Sequence, residues 1–505
     1  MRGKWGRMPF SPGFYLLFRD IARICCNEAG AGWRREKAKA GICMDRLIKY
    51  KRAVMFLIGT VLLACHMAVF WYVWNRFYSM AIIQPFYRKG NWLMVAVYTV
   101  LLYTFARIYG GYKIGDFRVS EIIYSQALAL MFTNIVTYCQ VSLVGRMFMD
   151  PVPILVMTVA QICLVVLWSY SANRIYYHIF PPRKMILVYG SKAATELVYK
   201  MSKRSDKYLI CSAVCTDEGY ESIIEKIQGF QAVVLCDVKS QVRNRVVKYC
   251  YEHSVRVYMT PKLSDIIVGG ADKIHLFDTP LFLCRNNGLS YDQRMAKRTL
   301  DLALTSIALV LLSPLMLLIC LAIKLDDGGP ILFKQKRLTL DGKVFEVYKF
   351  RSMVVDAEKD GVARLASQND DRITRVGKVL RKVRLDELPQ LLNVFKGDMS
   401  VVGPRPERPE IAEQYKESMP EFDFRLKVKA GLTGYAQILG KYNTMPYDKL
   451  KMDLIYIENY SFLLDLKLIL MTIKILFIPE STEGVAEGEL TPIDHISQEH
   501  NKPKE

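Results

Sequence analysis

The chain has 505 residues, and its 69 Lys and Arg against 49 Asp and Glu give a net charge of +20. Hydrophobic residues make up 51%, which excludes a disordered chain, and they gather in long uncharged runs, which excludes a simple soluble enzyme. The length fits about three domains. Twelve cysteines are scattered and none has zinc-finger spacing, so they read as reduced, buried residues.

Residues 1–43 are basic, and their apolar run around Phe14–Phe18 is too short for a cleavable signal. Met44 opens a more ordinary start, MDRLIKYKRAVMF, and is the expected initiator. Four apolar runs follow: Ala53–Trp74, Trp92–Ala106, Ile122–Gly145 and Pro151–Asn173. Crossing a bilayer takes about 20 apolar residues, so they read as four spans. Lys and Arg number ten in segments 45–52, 107–121 and 174–184, against four in 75–91 and 146–150. That asymmetry places both ends of the bundle in the cytoplasm.

From residue 185 the pattern changes. MILVYG, YLICSAVC, QAVVLCDV and VRVYMT read as strands alternating with helices, which implies a parallel sheet. The first turn, Gly190-Ser191-Lys192-Ala193-Ala194, has one glycine where a dinucleotide site needs several. The segment therefore reads as a Rossmann-like domain used for structure, dimerisation or regulation.

Leu302–Ile323 is a fifth apolar run, interrupted by Ser313-Pro314. Length favours a span. The internal proline kinks a helix, and a span would carry the basic remainder across the membrane, so a helix that enters and leaves by one face is the alternative. ILFKQKRL and KVFEVYKFRSM then form a hairpin around Asp341-Gly342. Arg372, Arg375, Lys378, Arg381, Lys382 and Arg384 follow at helical spacing, fitting a solvated face, an anionic lipid surface or a phosphate site. Directly after stands Leu385-Asp386-Glu387-Leu388-Pro389. Asp386 could cap a helix beginning near Pro389. Equally, a carboxylate kept ionised by arginines could attack phosphorus or hold a divalent cation. The loop Gly403-Pro404-Arg405-Pro406-Glu407-Arg408-Pro409 is rigid and presents two guanidinium groups suited to phosphate. Phe462–Phe477 carries Asp465, Lys467 and Lys474 and reads as an interfacial helix. Residues 479–505 hold seven acids against two lysines and read as disordered.

Residues 294–478 resemble the bacterial sugar transferase family, the monotopic phosphoglycosyl transferases. The resemblance rests on KRTLDLALTSIALVLLSPLM, FKQKR, YKFRSM, TRVGKVLRKVRLDELPQLLNVFKGDMSVVGPRPE, KAGLTGYAQILG and DLIYIENYSFLLDLKLILMTI. The bundle and Rossmann-like domain resemble the family's larger members. It implies a bacterial inner-membrane enzyme that moves sugar-1-phosphate from a UDP-sugar, UDP-glucose or UDP-galactose, to polyprenol (undecaprenyl) phosphate. Such a step begins an exopolysaccharide, capsule or O-antigen-type glycan, with the catalytic domain facing the cytoplasm. The resemblance implies Asp386 as nucleophile, Glu387 and Mg²⁺ in the same centre with Asp386 and Glu387 as ligands, and Arg405, Arg384, Lys349 and Arg351 on substrate phosphate. It also makes the Ser313-Pro314 helix, about 299–325, re-entrant. Ala430 and Tyr435 depart from the family's usual proline and tryptophan.

The expected fold is thus a membrane protein of α plus α/β type. Its parts are a basic segment (1–52), a four-helix transmembrane bundle (53–174), a Rossmann-like domain (175–290), a catalytic α+β domain (291–478) and an acidic tail (479–505). Expected partners are the UDP-sugar, the polyprenol phosphate, membrane lipid and a second copy, and no nucleic acid. The competing expectation is a non-catalytic, nucleotide-sensing regulator of glycan assembly.

Overall fold

The computed structural model describes residues 50–476 apart from 84, 87–88, 191–193, 286–287, 355–371 and 441–443. The acidic tail and most of the basic N-terminal segment lie outside the described residues. The chain divides into two compact units, Met1–Thr260 and Pro261–Glu505.

In the first unit the uncharged runs become α1 (Lys51–Val73), α2 (Lys89–Tyr109), α3 (Val119–Gly145) and α4 (Val152–Ile179). Among the described residues, five helices are long and apolar enough to cross a membrane, these four and one in the second unit. α1 packs on α2 and α4, α2 on α3, and α3 on α4. Phe70 stacks on Tyr98 with ring centroids 4.1 Å apart. Gln161 Nε2 donates to the Tyr98 hydroxyl (2.8 Å), Asn134 Nδ2 donates to Gln161 Oε1 (3.1 Å), and Tyr98 donates to Asn134 Oδ1 (3.3 Å). This closed ring joins three helices without leaving a polar group unmet.

The same unit continues with β1 (Arg183–Tyr189), α5 (Ala194–Ser202), β2 (Tyr208–Cys215), α6 (Tyr220–Ile227), β3 (Ala232–Cys236), α7 (Ser240–Glu252) and β4 (Arg256–Met259). The strands form a parallel sheet in the order β2-β1-β3-β4, and Met185–Val188 and all of β3 are buried. Gly190 serves that sheet directly. A Cβ there would stand 2.3 Å from the Asp237 carbonyl oxygen, so the lone glycine allows two strand ends to meet.

The second unit opens with α8 (Leu263–Gly269) and the hairpin β5 (Asp272–Leu276)–β6 (Thr279–Leu283). The stretch 261–290, assigned above to the Rossmann-like domain, therefore lies with the C-terminal unit. Ser290 caps the long helix α9 (Tyr291–Asp327): its Oγ accepts from Gln293 N at 3.3 Å, and Gln293 returns the bond to Ser290 N at 2.9 Å. Ser313-Pro314 lies inside this helix, with Ser313 Oγ donating to the Val310 carbonyl at 2.8 Å. α9 has three zones. Lys297, Asp301 and Thr305, one face of its first turns, are buried. Ile307, Val310 and Leu311 are exposed, and Ile319 and Ile323 are buried again.

β7 (Leu332–Leu338) and β8 (Val344–Phe350) pair antiparallel, with Leu338 opposite Val344. Asp341 and Gly342 both have positive φ, 56° and 74°, as the Asp-Gly turn signal requires. The remaining elements are α10 (Arg375–Lys382), α11 (Gln390–Lys396), β9 (Ser400–Val402), α12 (Pro409–Ser418), β10 (Gly431–Thr433), α13 (Tyr435–Leu439), α14 (Pro446–Glu458) and α15 (Phe462–Leu476). α15 departs from the interfacial reading. Its charged Asp465 and Lys474 are buried, and Leu468 packs in a core with Val402, Leu454 and Tyr456.

Candidate active site

Asp386 and Glu387 stand in one 3₁₀ turn, Leu385–Glu387. Arg384 enters that turn with φ +56°, a left-handed conformation that costs a non-glycine residue of order 1–2 kcal/mol. The turn is pinned on both sides: Leu385 and Leu388 pack on Phe350, Leu380, Ile319 and Ile323. The second half of α9 thus lies against the residues that flank the dyad. α11 begins after Pro389 and receives no side-chain cap, so the capping role open to Asp386 is not used.

Lys349, on β8, places Nζ 3.1 Å from Glu387 Oε1, and Arg405 places Nη2 3.4 Å from the same oxygen. Buried Asn393 fixes β8 relative to α11: its Nδ2 donates to the Glu346 carbonyl (2.7 Å), and its Oδ1 accepts from Tyr348 N (2.9 Å). Of the expected phosphate ligands, Lys349 and Arg405 therefore meet the dyad, and Arg384 acts on it electrostatically. Arg351 does not. Its guanidinium lies against Gly329, where a Cβ would be 1.8 Å from Nη1. Ser313 and Pro314 lie inside α9, just before the stretch from Met316 that packs with Leu385 and Leu388.

The two carboxylates differ. Burial pushes Glu387 up, but Lys349, then Arg405 and Arg384, win and bring it from 4.5 to about 2. Burial also raises Asp386, with Lys349 opposing and Glu387 adding to the rise. Pushing a pair of acids apart divides their roles: Glu387 is the permanent anion, and Asp386 is the more basic, more nucleophilic oxygen. Because the Glu387 pKa is depressed, its stabilisation is complete above pH 4.5 and is lost as pH falls toward 2. Urea unfolding of wild type against Glu387→Gln should show a gap of about 3 kcal/mol that closes through that window.

The loop bearing Arg405 is held by its backbone. The carbonyls of residues 404–407 each accept a hydrogen bond: Pro404 from Gly431 N (2.9 Å), Arg405 from Arg425 Nη2 (2.9 Å), Pro406 from Arg337 Nη1 (3.1 Å) and Glu407 from Leu338 N (3.0 Å). Arg425 is buried and pairs with buried Asp453 at 2.8 Å. Burial pushes Arg337 down to about 10, against the pull of Glu407. Arg425, Asp453 and Asn393 had no place in the sequence reading: Asn393 stands out as an amide in LLNVF, but Arg425 and Asp453 lie among other charges in EFDFRLKVK and DKLKMD, which gave no signal. Arg337 was visible only as part of FKQKR.

Gly403, Gly431 and Gly434 let this loop and the next touch backbone to backbone. A Cβ on Gly431 would lie 2.0 Å from Gly403 N, and one on Gly434 would lie 2.1 Å from Gly403 O. Gly431→Ala should shift Arg405 and lower activity about 100-fold, while circular dichroism stays native; an activity assay beside the spectrum measures the loss. The departure at Ala430 is used: its N–H donates to Thr339 Oγ1 at 3.2 Å, which a proline could not do.

A divalent cation fits the chemistry of this dyad. No group of three metal-ligating acids, histidines or cysteines occurs among the described residues, but Mg²⁺ is commonly held by one or two carboxylates with substrate phosphates completing the shell.

Residues 292–479 match the family model described as bacterial sugar transferase. A UDP-glucose:undecaprenyl-phosphate glucose-1-phosphate transferase of Caulobacter vibrioides is 41% identical over 184 residues, covering 35% of this chain and 68% of the relative. The chain belongs to the bacterial sugar transferase family. A further family member, the Escherichia coli enzyme of the same description, is 42% identical over 211 residues, covering 41% of this chain and 44% of the relative. An undecaprenyl-phosphate glucose phosphotransferase of Komagataeibacter xylinus is 32% identical over 311 residues, covering 58% of each chain. The chain thus matches about half the length of the latter two. The family match contains the dyad, Lys349, the Arg405 loop and α9 from its second residue on.

Proposed function

We propose that the protein transfers sugar-1-phosphate from a UDP-sugar to undecaprenyl phosphate, releasing UMP and beginning a capsule, exopolysaccharide or O-antigen-type glycan. The observation that carries this reading is two unlike carboxylates in one turn, against Lys349 and Arg405. UDP-glucose and UDP-galactose are the expected donors; glucose is named for the relatives above.

The Asp386 carboxylate oxygen attacks the sugar-bearing phosphorus, the bond from that phosphorus to the bridging oxygen breaks, and UMP leaves. An oxygen of undecaprenyl phosphate then attacks the same phosphorus and expels Asp386, giving undecaprenyl diphosphate sugar. Splitting the transfer through an aspartyl phospho-sugar predicts ping-pong kinetics. Lys349, Arg405 and Arg384 lower the repulsion when one anion attacks another. Mg²⁺ held by Asp386 and Glu387 would add charge neutralisation on the diphosphate. Glu387, ionised throughout the working range, keeps those cations in place.

α9 supports a re-entrant membrane arrangement. Fully extended as a helix it would measure about 55 Å, yet both of its ends pack within one unit: Lys297 and Asp301 on α15 and β9, and Ile319 and Ile323 on Phe350 and Leu380. A spanning helix separates its ends by a bilayer. Two anchored ends, an exposed apolar middle and an internal proline support a re-entrant helix. The Lys and Arg asymmetry of the first four helices supports a cytoplasmic start for the chain after residue 174, and with it our reading that the dyad works on the cytoplasmic side of the bacterial inner membrane.

Incubating membranes with undecaprenyl phosphate, Mg²⁺ and a panel of UDP-sugars tests the reading. UMP release with one sugar, dependent on the lipid for multiple turnovers, is the expected result. No UMP from folded protein with any sugar would overturn it.

A further inference from the structure

The cleft beside Glu387 is lined by two chemically different sets of residues. Its lining includes the charged Arg337, Lys349, Glu387 and Arg405 and, from the next loop, the neutral Gly431, Leu432 and Gln437. The Gln437 Oε1 is buried, and among the described residues it has no hydrogen-bond partner. An unmet buried acceptor is costly, which makes it a marker of function when it lines a cleft.

Its position is fixed. Gly403 N donates to Thr433 O at 2.8 Å, tying this next loop to the Arg405 loop. Ile438 N donates to Gly434 O at 3.0 Å, closing the turn that carries Gln437. Oε1 lies back over Gly434, 3.4 Å from where a Cβ would stand. The acceptor is therefore held at a set place relative to the Arg405 loop, where it repels an anion and suits a hydrogen-bond donor. An amide oxygen accepts from a neutral O–H or N–H.

We propose that Gln437 is a specificity-determining residue for the donor. Its amide oxygen accepts a hydrogen bond from a neutral donor group of the nucleotide sugar while the diphosphate lies on the cationic residues. This deepens the transferase reading and rests on it. Two groups of one substrate class have the required chemistry, a sugar hydroxyl and the imide N–H of uracil.

The test is a substrate–residue cycle on the full chain in detergent with undecaprenyl phosphate, comparing wild type with Gln437→Met. The donors are whichever of UDP-glucose and UDP-galactose turns over faster, its 2-, 3-, 4- and 6-deoxy analogues, and the analogue methylated at uracil N3. Wild type should lose about 10- to 100-fold in kcat/KM for one analogue. Gln437→Met should show that loss already on the parent donor, with no further loss on that analogue and an unchanged KM for the lipid. A deoxy sugar in that role identifies a hydroxyl; the methylated base identifies the uracil. Should wild type turn over the parent donor while Gln437→Met keeps every wild-type penalty, Gln437 does not read the donor. If wild type turns over no UDP-sugar, the transferase reading itself falls and takes this proposal with it.

Discussion

Asp386→Asn should abolish transfer, lowering kcat by about 10³-fold or more, and at the same time leave the fold equally or more stable. The first half follows from the chemistry. A carboxamide neither attacks phosphorus at a useful rate nor leaves from it, so a single incubation with donor alone should release up to one equivalent of UMP from wild type and none from the variant. The second half follows from linkage. Burial raises the Asp386 pKa, so the folded state holds its proton more tightly than the unfolded chain does. Ionised Asp386 therefore costs stability above its ordinary pKa, and the cost vanishes as pH falls below it. The asparagine variant should melt at or above the wild-type temperature at pH 7, with the gap closing in acid. Retention of more than a tenth of wild-type turnover would remove Asp386 as the nucleophile. A lower melting temperature would mean that the carboxylate stabilises the turn instead. Sites that trade stability for reactivity behave in this way.

Much of this was readable because it is local. Five apolar runs set five long helices, MILVYG and QAVVLCDV set buried parallel strands, and Asp341-Gly342 set a hairpin whose two turn residues both take positive φ. The dyad and Arg405 were legible for the same reason, since acids after a cationic helix and arginines between prolines are short-range oddities. What local pattern hides is partnership across the chain. Arg425 reaches the Arg405 carbonyl, and Asp453, 28 positions further on in the sequence, completes that contact. Lys349 and Arg351 look equivalent in YKFRSM, yet side chains on neighbouring alternate positions still part where the strand ends: one meets Glu387, and the other turns to Gly329. The α15 helix shows the opposite error. Charges every few residues read as an interfacial helix, but Asp465 is buried because its counterion arrives from α9.

That counterion sets the largest expected stability effect. Lys297 Nζ lies 2.6 Å from Asp465 Oδ2 and 2.9 Å from the Tyr456 hydroxyl, which itself donates to Asp465 Oδ1 at 2.8 Å; all three residues are buried. Removing one partner strands the other charge in an apolar setting, so Lys297→Met and Asp465→Leu should each destabilise by about 3–5 kcal/mol. The double variant removes both charges and should be less damaged than either single, because desolvation of two ions nearly offsets their attraction. Chemical unfolding of the four proteins in detergent measures this, and additive single effects would contradict it. The consequence reaches the membrane helix. Lys297 and Asp301 fasten the first turns of α9, Asp301 through Val401 N (2.9 Å) and Ser400 Oγ (3.1 Å). Loosening that end shifts the load to Arg298, which donates to the Val394 and Phe395 carbonyls, and to Ile319 and Ile323 beside the dyad. Activity in the single variants should therefore fall further than their folded fraction, and the double variant should regain part of it.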